Sequence, residues 1–113
     1  MTELIYKILT EDQWNHFARS ANFEGSEHDK QDGFIHLCSM HQLKGTLDKH
    51  YSEIDTVILV GLDGHAFDAR LKWEVSRGGE KFPHLYCDLS FSALVNMHRL
   101  DQTPDGFELP YNL

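Results

Sequence analysis

Thr56-Val57-Ile58-Leu59-Val60-Gly61-Leu62 is the most apolar stretch of the chain, interrupted only by Gly61. A run that is continuous rather than alternating predicts a strand covered on both faces, hence one at the centre of a sheet. It has a sheet strand's length and is too short to cross a bilayer.

Working outward, Leu4–Leu9 is apolar enough for a first strand, and Thr10-Glu11-Asp12-Gln13 has the capping-box pattern that opens a helix over about Glu11–Ser20. Trp14, Phe17 and Ala18 recur at i, i+3 and i+4 and supply its apolar face. Asn22–Asp32 is polar and contains glycine, so a long loop is expected. Gly33–Cys38 follows as a strand. Ser39, with Gln42 three residues on, opens a second helix to about Tyr51 despite Gly45. Beyond the central strand come an Asp63-Gly64 turn, a strand over Leu71–Val75, a loop over Ser76–Lys81 and a strand over Phe82–Leu89. Ser90–Leu94 suits a single helical turn, Val95–Leu100 a further strand, Thr103–Gly106 a turn and Phe107–Leu113 a packed edge. The helices come early and strands dominate the second half. The class is therefore α+β, a compact β-rich single domain over residues 1–113 with two short helices in its N-terminal half. A parallel α/β sheet is the weaker alternative, because too few helices follow to cover two faces.

The 113 residues suffice for one core, and 41% hydrophobic with 12% aromatic content is that of a folded protein. Ten basic against eighteen acidic residues give a net charge of −8, without the basic stripe that nucleic-acid backbones require. The N-terminus lacks a positive segment followed by an apolar stretch, which predicts a cytoplasmic protein with Cys38 and Cys87 as free thiols. Of eight histidines, His28, His50 and His65 lie in polar surroundings typical of surface.

Three segments carry candidate chemistry. In Asp32-Gly33-Phe34-Ile35-His36-Leu37, strand alternation puts Phe34 and His36 on one face and Ile35 and Leu37 on the other. An imidazole beside an aromatic suits a planar heterocycle or a sugar hydroxyl; the alternative is a buried histidine bonded to backbone. In Trp73-Glu74-Val75-Ser76-Arg77-Gly78-Gly79, Glu74 is a candidate base or electrostatic stabiliser. Arg77, with Ser76, Gly78 and Gly79 beside it, suits a phosphate or carboxylate, unless the segment is a hairpin turn with a surface Glu–Arg pair. In Phe82-Pro83-His84-Leu85-Tyr86, the two aromatics flank His84 on one face. Together, His36, Glu74, Arg77 and His84 form a candidate catalytic set walled by Phe34, Ser76, Gly78, Gly79, Phe82 and Tyr86. A metal held by His36, His84 and Glu74 is a weaker reading, since these residues offer no close-spaced histidine pair, and no metal is expected.

These segments, with Ile5-Tyr6-Lys7-Ile8, resemble the bacterial domain-of-unknown-function family 952 from about Leu4 to Leu100. Phe-Ile-His-Leu and Phe-Pro-His-Leu-Tyr are its most specific strings here. Members are sometimes labelled as glutathione S-transferase-related, a label this length does not support. The resemblance implies an ADP-ribosyltransferase-like fold, in which strands enclose a cleft for NAD. It implies that His36 holds the nicotinamide ribose, Glu74 is the carboxylate, Arg77 meets phosphate, and His84 and Tyr86 line the cleft. In the family pattern a small residue such as serine stands at Cys38 and glycine at Cys87, so no thiol chemistry is implied. The expected function is NAD or nucleotide binding with transferase-like or glycohydrolase-like chemistry, the alternatives being a non-catalytic small-molecule or protein-binding module and a metal-dependent hydrolase.

Overall fold

A computed structural model describes residues 4–111 and 113. The apolar run Thr56–Asp63 is strand β4 and lies between β1 (Leu4–Leu9) and β8 (Leu94–Asp101), both antiparallel to it. Its continuous hydrophobicity follows from cover on both faces. Ile58, Val60 and Leu62 pack into one core with Ile5, Leu9 and Phe17, whereas Val57 and Leu59 pack into another with Tyr6, Leu43, Leu47 and Phe107. The first core is covered by α1 (Glu11–Ser20), whose Thr10 cap accepts from the Gln13 N–H while Gln13 accepts from the Thr10 N–H. The second core is covered by α3 (Leu43–His50).

A second three-stranded sheet is ordered β3 (Ile35–His36), β6 (Lys81–Leu85), β5 (Leu71–Val75). Every pairing in the described residues is antiparallel, which excludes the parallel alternative. The two sheets are joined by a backbone bridge, in which Tyr6 and Cys38 exchange hydrogen bonds of 2.8 and 2.9 Å. The domain is α+β. No helix among the described residues is long and apolar enough to cross a membrane.

Several expectations are corrected. Asn22–Asp32 is no loop: it contains β2 (Asn22–Phe23), paired with β7 (Leu89–Ser90), and the helix α2 (Glu27–Asp32). The N-terminal half therefore holds three α-helices, not two. α2 has no apolar periodicity, because it is anchored by the buried carboxylate of Asp29 instead of a hydrophobic face. The strand expected over Gly33–Cys38 contracts to two residues plus the Cys38 bridge, and the strand over Phe82–Leu89 ends at Leu85. The second helix begins with a 3-10 turn over Met40–Gln42 before α3. The turn after β4 extends as 3-10 structure over Gly64–Arg70, and Arg77–Gly79 adds another 3-10 turn. The tail forms no strand among its described residues; Phe107 instead plugs the second core.

Candidate functional site

Where the two sheets diverge from the Tyr6–Cys38 bridge, they leave a cleft of about 320 Å³. It is lined by Tyr6, Lys7 and Ile8 of β1, by His36 to Cys38 and His84 of the second sheet's side, and by Thr46, His50, Tyr51, Ser76 and Arg77. Among the residues singled out from sequence, His36, Ser76, Arg77, Phe82 and His84 line this cleft. Phe34 and Tyr86 line a shallower pocket of about 190 Å³ behind it, and Glu74, Gly78 and Gly79 line neither.

The cleft wall is organised around Asp29, whose side chain is 2% exposed. Its Oδ1 accepts from Lys7 Nζ at 3.2 Å, from the His36 N–H at 3.0 Å and from His36 Nδ1 at 2.6 Å; its Oδ2 accepts from the Ser26 N–H at 2.8 Å. Burial by itself raises the Asp29 carboxyl. The His36 hydrogen bond, the Lys7 charge and the two backbone N–H groups outweigh burial and hold it well below the usual carboxylate range. Burial likewise lowers Lys7, opposed by Asp29. Lys7 also donates to the His36 carbonyl oxygen at 3.0 Å, so this one ammonium spans from β1 to β3. With every near oxygen position of Asp29 already taken, it orients His36 and is not a free nucleophile.

His84 is 5% exposed and paired with Glu74, Nδ1 to Oε1 at 2.9 Å; the Tyr86 hydroxyl donates to the same oxygen at 2.6 Å. These two bonds, Tyr86 first, hold Glu74 below the ordinary carboxylate range. The surface Glu–Arg alternative is thereby replaced, as is a joint His36–His84–Glu74 metal set: the Glu74 carboxylate serves His84 from outside the cleft. Phe34 stacks on the His84 ring at 4.0 Å and approaches His36 at 4.6 Å, so the predicted Phe34/His36 face exists while Ile35 and Leu37 are buried. A histidine oriented through Nδ1 by a carboxylate, with its ring on a cleft wall, has the geometry of a general base.

Arg77 lies over the Phe82 ring at 5.0 Å and donates to Thr46 Oγ1 at 3.3 Å. A side chain at Gly45 would stand 3.0 Å from the Arg77 guanidinium, which would have to shift to admit it. Gly78 and Gly79, at φ 68° and 75°, shape the turn that carries Arg77 and do not touch the cleft. Cys38 lines the cleft floor, but burial pushes its thiol up to about 12 despite Lys7 and Arg77, so it is not a thiolate nucleophile. Both cysteines are free.

Reading the sequence alone misses Tyr6, Lys7, Asp29, Thr46 and Tyr51, and assigns His28 and His50 to plain surface although both edge the cleft. Two signals for the ion pair are present in it. Lys7 interrupts an otherwise apolar strand, and Ser26-x-x-Asp29 is a capping box with aspartate in the usual glutamate position.

The family model described as "Protein of unknown function (DUF952)" matches residues 8–97. The chain belongs to this family. Among solved structures, the crystal structure of protein CC0527 from Caulobacter crescentus is 39% identical to it, with 92% of this chain and 91% of that chain covered and a TM-score of 0.87. The solution NMR structure of the same Caulobacter protein gives a TM-score of 0.83 at 39% identity, covering 93% and 90%. No curated protein matches the chain. The chain shares its overall fold with this Caulobacter protein.

Proposed function

We propose that this cytoplasmic DUF952 protein binds a nucleotide in the cleft between its sheets, with NAD as the leading ligand and an ADP-ribosyltransferase-like arrangement of the fold. The observation that carries this reading is the convergence of His36, Arg77 and His84 on one open cleft of about 320 Å³. That volume is at the lower end of ligand pockets and suits one nucleoside-phosphate half of NAD. Arg77 supplies a bidentate partner for phosphate, and the aromatic and imidazole walls suit a planar base. A small molecule, not a nucleic acid, is the partner.

Calorimetric titration with NAD, ADP-ribose and nicotinamide mononucleotide tests the reading. Binding by the wild type, weakened roughly tenfold or more in Arg77→Ala, is expected. No binding up to millimolar ligand would overturn it.

The Glu74–His84 pair favours a second reading, in which the bound nucleotide is also turned over, with His84 as base. Release of nicotinamide from NAD, lost in His84→Ala and reduced in Glu74→Gln, is the outcome it requires. Binding without release leaves a non-catalytic module.

A further inference from the structure

We propose that His28, Asp32 and His36 form a binding site for a divalent transition-metal ion on the rim of the cleft. The spacing is regular, His28-x₃-Asp32-x₃-His36. The first two residues stand one turn apart on α2, so their side chains share a face. Gly33 then ends the helix in the left-handed conformation, φ 83°, and turns the chain so that β3 brings His36 back beside them.

The donor geometry fits one ion. A ligand atom from each of the three side chains lies within 4.8 Å of the others. His36 Nε2 is 2.9 Å and His28 Nε2 3.7 Å from Asp32 Oδ2. Nitrogen and oxygen donors bound at about 2.0–2.2 Å to a shared ion stand roughly 3–3.5 Å apart, so the two separations bracket the required one. The two imidazoles are stacked, with ring centres 4.4 Å apart and planes 16° from parallel, so the exposed His28 ring turns to aim its lone pair at the shared ion.

An independent observation comes from behind the ring. His36 Nδ1 lies 2.6 Å from the buried Asp29 carboxylate, which is itself fixed by Lys7 and the Ser26 N–H. A carboxylate gripping the far nitrogen of a ligating histidine is the usual outer shell of a metal site, because it fixes the tautomer and aims the other lone pair. In the tautomer that donates from Nδ1 to Asp29, the Nε2 lone pair faces an Asp32 oxygen. Two electron pairs at that distance repel unless a cation lies between them. A metal ion meets this condition and would also take the neighbouring His28 nitrogen as a ligand. Two imidazoles and one carboxylate select zinc, cobalt, nickel or ferrous iron over magnesium or calcium. Since His28 and His36 both line the cleft, an ion there has its open positions beside the ligand cavity, where oxygen atoms of a phosphate or carboxylate would complete its coordination.

The test uses full-length protein without a histidine tag, freed of metal by chelator and dialysis, with no nucleotide present, so that its outcome is separate from nucleotide binding. Zn²⁺ is titrated by calorimetry and Co²⁺ by visible absorption. A 1:1 complex with a dissociation constant on the order of micromolar is expected. His28→Ala and Asp32→Asn should each weaken it roughly tenfold or more, whereas His16→Ala on α1 should not. The substituted side chains are 68% and 44% exposed, so both variants keep the fold, which thermal melts verify. Absence of saturable binding below millimolar metal would overturn the proposal. Undiminished affinity in His28→Ala and Asp32→Asn would also overturn it.

Discussion

The two three-stranded sheets are built on opposite terms. In β1-β4-β8, hydrophobic side chains fill both faces of β4, and Val57, Leu59, Val60 and Leu62 are wholly buried. In β3-β6-β5, the inward positions include His36 and His84, each paired with a carboxylate, while Trp73 and Val75 of β5 are 40% and 65% exposed. The first sheet obtains its stability from area removed from water, which needs no particular partner. The second depends on directional pairs, each of which exists only if its partner arrives. A scaffold of the first kind can carry a site of the second kind, and the Tyr6–Cys38 bridge and the Lys7–Asp29 pair are where they join.

The sharpest way to break this division is Asp29→Ala, which leaves the Lys7 ammonium buried without its counter-charge. A loss of about 3–5 kcal/mol in urea unfolding is expected. The wild type should show the matching pH dependence. Asp29 is depressed on folding, so its contribution is full above the unfolded carboxyl value of about 4 and is lost as pH falls below it. Stability that stays level through this range would show that the pair does not join the sheets.

Leu59→Ala, in the middle of β4, should cost about 2–5 kcal/mol by the same measurement. Because Leu59 itself does not line the cleft, ligand affinity of the folded fraction should change far less than in Arg77→Ala.

Gly61→Ala tests the close approach of β4 and β8, where an added Cβ would run into Asn96 Oδ1. A cost of about 1–3 kcal/mol is expected, reduced in the double variant with Asn96→Ala. Additive costs in the double-mutant cycle would count against the clash as the reason for glycine.

Tyr6→Phe has the smallest expected effect. Removing a buried, unpartnered hydroxyl should leave the ligand-free protein unchanged or more stable by up to about 1 kcal/mol, seen as a level or raised Tm. A clear loss of stability would mean that the hydroxyl has a structural partner.

Most of the scaffold was legible from residue order. β1, α1, β4 and β5 lie where apolar runs and the Thr10–Gln13 box place them, to within a residue. Each announces itself locally, through a hydrophobic period or a cap that involves residues three apart. α2 and β2 were not legible, because a six-residue polar helix held by one buried aspartate has no period, and a two-residue strand exists only through β7. In the site, His36, Arg77 and His84 could be singled out by residue type, but Glu74 could not be assigned to the outer side of His84, nor Asp29 to the inner side of His36.

By itself, then, the sequence determined an α+β domain with a central apolar strand, its early helices, and the short list of side chains able to do chemistry. Local propensity and burial need only the order of residues, and they suffice for that. Tertiary structure alone decided which imidazole meets which carboxylate of the cleft wall, that Lys7 turns inward to span from β1 to β3, and that Arg77 reaches Thr46. Those contacts join residues whose separation along the chain carries no preference, and their energies appear only after the two sheets have packed and excluded water from between them.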